Sequence, residues 1–130
     1  MLILTIRTDK PEAEIGLFND HAKLAYETWS AHRELSNTLH TKIADMLSGK
    51  GATFSDLGGI LCFKGPGSFT GLRIGITVAD AFAYGLTVPV VATMDDDWID
   101  KGIKRLLDGQ NDRIVLPHYG APVHITTQKK

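Results

Sequence analysis

The chain has 130 residues, 43% of them apolar and 22% charged, the balance of one ordinary globular domain and not of a disordered segment. Fourteen Lys and Arg against fifteen Asp and Glu give a net charge of −1, which argues against a broad phosphate-binding surface. Cys62 is the sole cysteine, so an internal disulfide and a cysteine-rich zinc site are excluded.

Residues 2–7 are rich in β-formers, and their apolar run is too short for the core of a signal peptide or for a membrane span. A cytoplasmic, reduced protein with no membrane contact is therefore expected. Lys10, Pro11 and Glu12 break the first strand, and Ile15, Gly16, Leu17 and Phe18 form a second short one. Asn19 and Asp20, which tolerate left-handed backbone angles, are expected to make a two-residue hairpin turn. Leu24, Tyr26 and Thr28 then alternate with Ala25, Glu27 and Trp29, the period of a third strand. Leu35, Leu39, Ile43, Met46 and Leu47 recur with the spacing of one helical face, and Gly49 and Gly51 close that helix.

Residues 59–64 form a continuous apolar run, as in a central strand covered on both faces. A glycine-rich loop leads into a second helix over residues 69–84, which Gly85 is expected to stop. Val88, Pro89, Val90 and Val91 predict a fifth strand, with the proline near its start. The order is βββαβαβ, whose αβαβ portion implies parallel strands with helical crossovers. Beyond Thr93, Asp95, Asp96 and Asp97 suit a helix N-terminus. Ile99, Ile103, Leu106 and Leu107 predict a short third helix closed by Gly109, residues 113–116 one more strand, and the rest an extended polar tail.

The loop and the helix after it carry most of the functional information. Residues 65–75 read GPGSFTGLRIG and join a buried strand to a helix, where unpaired N–H groups attract anions. Gly65, Gly67, Ser68 and Thr70 are thus candidates for holding a phosphate or nucleotide. The spacing nevertheless fails both phosphate motifs: Leu72 follows Gly71 where a P-loop has lysine, and Gly65, Gly67 and Gly71 miss the dinucleotide spacing. The alternative is a tight turn in which Ser68 or Thr70 caps the helix.

Along that helix Gly71, Gly75, Ala79 and Ala83 make a stripe of small residues, flanked by apolar Leu72, Ile76, Val78 and Phe82. Glycine within a helix costs about 1 kcal/mol relative to alanine, so close approach of another backbone is expected as compensation. That backbone belongs either to the molecule's own sheet and first helix or to a partner's helix. The five histidines show no metal-binding pairing, and the three adjacent aspartates point in different directions on a helix, so no metal site and no cofactor are expected. Cys62, inside the apolar strand, is expected to be inert.

The GPGSFTGLRIG run, the Ile76-Thr77-Val78-Ala79 segment after it and residues 88–93 resemble the TsaB (YeaZ) family, as do residues 3–18 and the helix entry at Arg33 and Glu34. The resemblance covers residues 1–93 and implies one half of a ribonuclease H-like fold of the actin/sugar-kinase/chaperone ATPase superfamily. Residues 94–130 are then the remnant of a second half, a short helix and an extended tail. Leu116, Pro117, Tyr119 and Pro122 resemble a Pro-x-Tyr segment near the family's C-terminus.

The resemblance also implies a non-catalytic scaffolding subunit of the complex that makes threonylcarbamoyladenosine at position 37 of tRNA. Such a subunit binds and activates a TsaD-like transferase, meets a TsaE-like ATPase and tRNA only within that complex, and forms homodimers when alone. Helices one and two make the contact, which here brings in Leu39, Ile43, Gly71, Leu72, Gly75, Ile76, Ala79 and Ala83. The superfamily's ATPases carry an aspartate on the first strand, where this chain has Arg7, a residue that repels a metal ion. A small nucleotide-dependent enzyme, with phosphate at the 65–70 loop, is the competing reading.

Overall fold

The computed structural model describes residues 1–31, 34–67 and 69–116. Expectations that rest on Arg33, on Ser68 or on residues 117–130 lie outside the described residues. Five strands form one sheet: β1 (Leu2–Arg7), β2 (Glu12–Asn19), β3 (Ala22–Ser30), β4 (Gly59–Phe63) and β5 (Val90–Thr93). Their spatial order is β3-β2-β1-β4-β5, with β2 antiparallel to both neighbours and β1, β4 and β5 parallel. Three α-helices among the described residues, α1 (Leu35–Gly49), α2 (Phe69–Leu86) and α3 (Trp98–Leu107), complete the order βββαβαβα, with one 3-10 turn at Phe54–Asp56 before β4.

Strand alternation decides what each face of the sheet meets. On β4, Gly59, Leu61 and Phe63 point toward α3: Leu61 lies against Gly102, Gly59 against Leu106, and Phe63 meets Trp98 edge to face at 5.7 Å. Ile60 and Cys62 point to the opposite face, which α1 and α2 cover. The residues predicted for the buried face of α1, Leu35, Leu39, Ile43, Met46 and Leu47, are all buried there. The outer strand β3 is tied to α1 through Trp29, whose Nε1 donates to Thr38 Oγ1 at 3.1 Å, and through Lys42, 2.5 Å from Glu27.

Several boundaries differ from the sequence expectation, each for a local reason. The hairpin turn is Asp20-His21, one residue later than predicted, because Asn19 still pairs with Ala22 and Asp20 takes the left-handed angle (φ 50°). The second strand has eight residues where four were expected, since antiparallel pairing to β3 carries polar Glu12 and Glu14 into the ladder, opposite Ser30 and Thr28. Gly85 does not stop α2; the helix runs on to Leu86, and Thr87 turns the chain with φ 56°. Asp97 stands at the N-terminus of α3 without a capping side-chain hydrogen bond; Asp95 and Asp97 instead hold Lys101, each at 3.2 Å. Residues 113–116 form no strand. Arg113 has φ 68°, which breaks an extended chain; Asn111 and Asp112 just before it bond to the edge of β5, and Val115 bonds to Asp80 of α2.

Candidate functional site

Two places draw the informative residues together: the corner where β1 and β4 end beside the start of α2, and the outward face of α1 and α2.

At the corner, β1 delivers Arg7 to the α3 side of the sheet and Thr8 to the α2 side. The Arg7 guanidinium lies 3.9 Å over the Phe63 ring. Its Nε donates to Asp9 Oδ1 at 2.8 Å and its Nη2 to Asp9 Oδ2 at 3.2 Å, so both oxygens of this nearly buried carboxylate are taken. Burial works against the Arg7 charge, but the Asp9 hydrogen bonds and the charges of Asp9 and Glu14 outweigh it and raise its pKa. Glu14 in turn accepts from the Tyr26 hydroxyl at 2.5 Å and pairs with Lys10 at 3.2 Å. Burial, then that hydrogen bond, pushes the Tyr26 phenol far above its ordinary value and keeps it protonated.

The corner does not fit a metal ion, because a guanidinium occupies the first-strand position and no carboxylate oxygen nearby is uncommitted. Among the described residues no three His, Cys, Asp or Glu side chains gather to hold one elsewhere. Cys62 is fully buried, and burial pushes its thiol far up, where it is no nucleophile.

The anion candidates fare differently from one another. Gly65 is buried with φ 115° and begins the cis Gly65-Pro66 bond. The Cβ that Gly67 lacks would lie 2.4 Å from Asp9 Cβ, so the loop packs on an acidic residue. Thr70 is exposed at the start of α2, and Ser68 is outside the described residues.

The small-residue stripe is filled from within. A Cβ on Gly75 would lie 2.1 Å from Thr8 Oγ1, and that hydroxyl donates to the Gly71 carbonyl at 2.7 Å. Ala79 and Ala83 are buried, as are Leu39, Ile43, Leu72 and Ile76. Of the eight residues expected at a partner's surface, seven are core and Gly71 is half-buried. The close approach that the glycines require is therefore made by this chain's own first strand, which corrects the partner-helix reading of the stripe.

The outward face of the same helices carries a different set. Ile74, Val78 and Phe82 recur every fourth residue along α2, only partly covered. Phe82 stacks on Phe54 at 5.1 Å and on His40 of α1 at 5.8 Å, while His40 and Phe54 stack at 5.3 Å. Beside this row a shallow groove of about 410 Å³ is lined by Ser36, Thr70, Arg73, Ile74, Thr77 and Val78, and Tyr84 stands 90% exposed. Sequence reasoning placed Val78 and Phe82 beside the stripe but passed over Ile74, His40 and Phe54; the i, i+4, i+8 spacing of 74, 78 and 82 was the available signal.

Strand order and helix placement define a ribonuclease H-like fold, with an Arg–Asp pair at the corner. RuvC from Thermus thermophilus, solved with a Holliday junction substrate, shares this fold at a TM-score of 0.54 and 11% identity, over 92% of this chain and 85% of that one. YeaZ from Pseudomonas aeruginosa superposes with a TM-score of 0.67 at 29% identity, over 72% of this chain and 44% of that one. The family model for TsaD, tRNA N6-adenosine threonylcarbamoyltransferase, matches residues 29–95.

The tRNA threonylcarbamoyladenosine biosynthesis protein TsaB of Escherichia coli is 35% identical over 96 residues, 70% of this chain and 39% of the relative. A tRNA N6-adenosine threonylcarbamoyltransferase of Ralstonia pickettii is 32% identical over 108 residues, 71% of this chain and 31% of the relative. The chain belongs to this family, as a member of its TsaB/YeaZ branch. It spans about two fifths of the length of the curated TsaB relatives it matches (39% and 40%). No helix among the described residues is long and apolar enough to cross a membrane.

Proposed function

We propose that this chain is a non-catalytic scaffolding subunit in the synthesis of threonylcarbamoyladenosine in tRNA, and that it binds and activates a TsaD-like transferase through the outward face of α1 and α2. The observation that carries this reading is the half-covered row of Ile74, Val78 and Phe82 beside the exposed His40. Apolar side chains at helical spacing, left half in water, fit a partner's helix laid along them. The Arg7–Asp9 pair supports the non-catalytic part, because it fills the corner where the superfamily's ATPases place a carboxylate. Family membership supports the role in tRNA modification. On this reading a TsaE-like ATPase and tRNA are met only within the complex, in the cytoplasm, and the same face accounts for homodimers when the partner is absent.

Size-exclusion chromatography with the TsaD-like transferase of the same genome tests the proposal. Wild-type chain should co-elute with it at micromolar concentration. Ile74→Asp and Val78→Asp should weaken the complex at least about tenfold, since each places a charge in a desolvated contact, while circular dichroism melting stays within a few degrees of wild type. Separate elution of the wild type, or co-elution of both variants undiminished, overturns it. The nucleotide-enzyme reading predicts tight calorimetric binding of ATP with magnesium by the isolated chain; the packing of Gly67 on Asp9 weighs against it.

A further inference from the structure

A sheet edge presents unpaired backbone N–H and C=O groups, which a folded chain must satisfy or conceal. On the inner side of β5 the ladder to β4 uses the Pro89 carbonyl, which accepts from Ile60 N at 2.9 Å, and the Thr93 carbonyl, which accepts from Lys64 N at 3.1 Å. The outward groups are those of Val90 and Ala92, four in all. Every one of them is satisfied, and by no strand. Val90 N donates to Asn111 Oδ1 at 3.1 Å, and the Val90 carbonyl accepts from Asp112 N at 2.8 Å. Ala92 N donates to Asp112 Oδ2 at 3.0 Å, and the Ala92 carbonyl accepts from Arg105 Nη1 at 3.0 Å.

The cover is itself clamped. Arg105 holds both oxygens of Asp112, and its Nε donates to Gln110 Oε1 at 2.7 Å. Asn111 Oδ1 also accepts from Arg113 N at 2.8 Å, fixing the turn. Beyond it Val115 is buried, and its N–H donates to Asp80 Oδ1 of α2 at 2.9 Å. A loop that merely passed the sheet would not supply an acceptor, a donor, a second acceptor and a second donor in the order a strand would.

We propose that residues 110–115 are a strap that takes the place of a sixth strand, and that breaking its Asp112 clamp opens the outer edge of β5 to antiparallel pairing with β5 of a second copy of this chain. The occupant follows from the edge's self-complementarity. About a two-fold axis through Val91, Val90 of one copy faces Ala92 of the other, and each pair exchanges two backbone hydrogen bonds. Those four bonds use the same four groups that the strap, for three of them, and Arg105 of α3, for the Ala92 carbonyl, now satisfy, so this cover and a second copy exclude each other. The run Val90-Val91-Ala92-Thr93, β-branched at three of four positions, suits such pairing. This inference is independent of the α1–α2 face, because β5 lies at the sheet's edge.

Amide hydrogen exchange by NMR on the full chain tests it, with Asn111→Ala/Asp112→Ala against wild type. In wild type the Val90 and Ala92 amides should stay protected at every protein concentration. In dilute variant they should exchange about tenfold faster, the loss of one hydrogen bond each, and regain protection as the concentration rises and β5 pairs. Ile60, bonded to Pro89 on the inner side, reports global opening and should change least. Unchanged protection in the dilute variant overturns the strap. Fast exchange at every concentration overturns the pairing. Should the double variant fail to fold, Asp112→Asn keeps an acceptor for Ala92 N but loses the carboxylate charge that pairs with Arg105. There, acceleration at Ala92 beyond that at Ile60 supports the strap, and equal acceleration overturns it.

Discussion

The Cβ that Gly75 lacks would lie 2.1 Å from Thr8 Oγ1 and 3.0 Å from its methyl carbon, so even alanine forces the helix and the first strand apart. Gly75→Ala is therefore expected to destabilise the isolated chain by about 1–3 kcal/mol, the usual cost of overpacking, read as a lower urea midpoint. Thr8→Ala in the same chain should recover part of that loss, since it removes the nearest atoms while giving up one hydrogen bond to the Gly71 carbonyl. An unchanged midpoint for the single variant would mean that the helix does not sit on Thr8. Arg7 is a different kind of residue. Its identity was legible in the sequence, and so was its meaning, because a guanidinium on the first strand repels a cation wherever the rest of the site lies. Its partner Asp9 was not legible, since an exposed-looking Asp before Lys10-Pro11 carries no sign that the chain folds it back beneath Gly67.

Helix α2 carries two adjacent stripes, a small one at 71, 75, 79 and 83 and an apolar one at 74, 78 and 82. Periodicity shows both and cannot say which the sheet takes. The structure turns the small stripe inward, with Gly75 on Thr8 just past β1, and leaves the apolar one half in water, because the sheet can approach closely only where side chains are small. The strap has its own electrostatic signature. Burial alone would raise the Asp112 pKa, but hydrogen bonds from Arg105 and the Ala92 amide, with the charges of Arg105 and Lys64, leave it below the ordinary 3.8. Its contribution to stability is therefore present above that value and lost as pH falls through the lower, folded one. Asp80 runs the other way: burial holds its carboxyl above 3.8, only partly offset by the Val115 N–H. Its contribution is present below the unfolded value and fades as pH rises through the folded one. On acidification the Val115 amide resonance should shift first, above pH 3.8, and the Ala92 resonance only below it. Simultaneous shifts would refute this assignment.

At the scale of the molecule, α1 and α2 cover one face of the sheet while α3 covers β4 and β5 on the other, and the half-exposed row on α2, packed in part against the core, runs along the flank of its helix layer. A partner that seats there binds only the folded chain and must stabilise it. With the TsaD-like transferase at 100-fold excess over its dissociation constant, the unfolding free energy should rise by about 2.7 kcal/mol, and the tenfold or greater weakening expected of Ile74→Asp should cut that rise to about 1.4 kcal/mol or less; an unshifted wild type would deny the contact. The sequence by itself determined the element order, the parallel crossovers, the buried face of α1 and the missing first-strand carboxylate, because periodicity, turn chemistry and residue charge are local properties that survive without coordinates. Only the tertiary structure decided which stripe of α2 is core, that Asp9 neutralises Arg7, and that residues 111–112 finish the sheet where residues 113–116 were expected to add a strand. Those outcomes depend on which groups distant in the chain are left unsatisfied when the sheet closes, and no window of neighbouring residues contains that information.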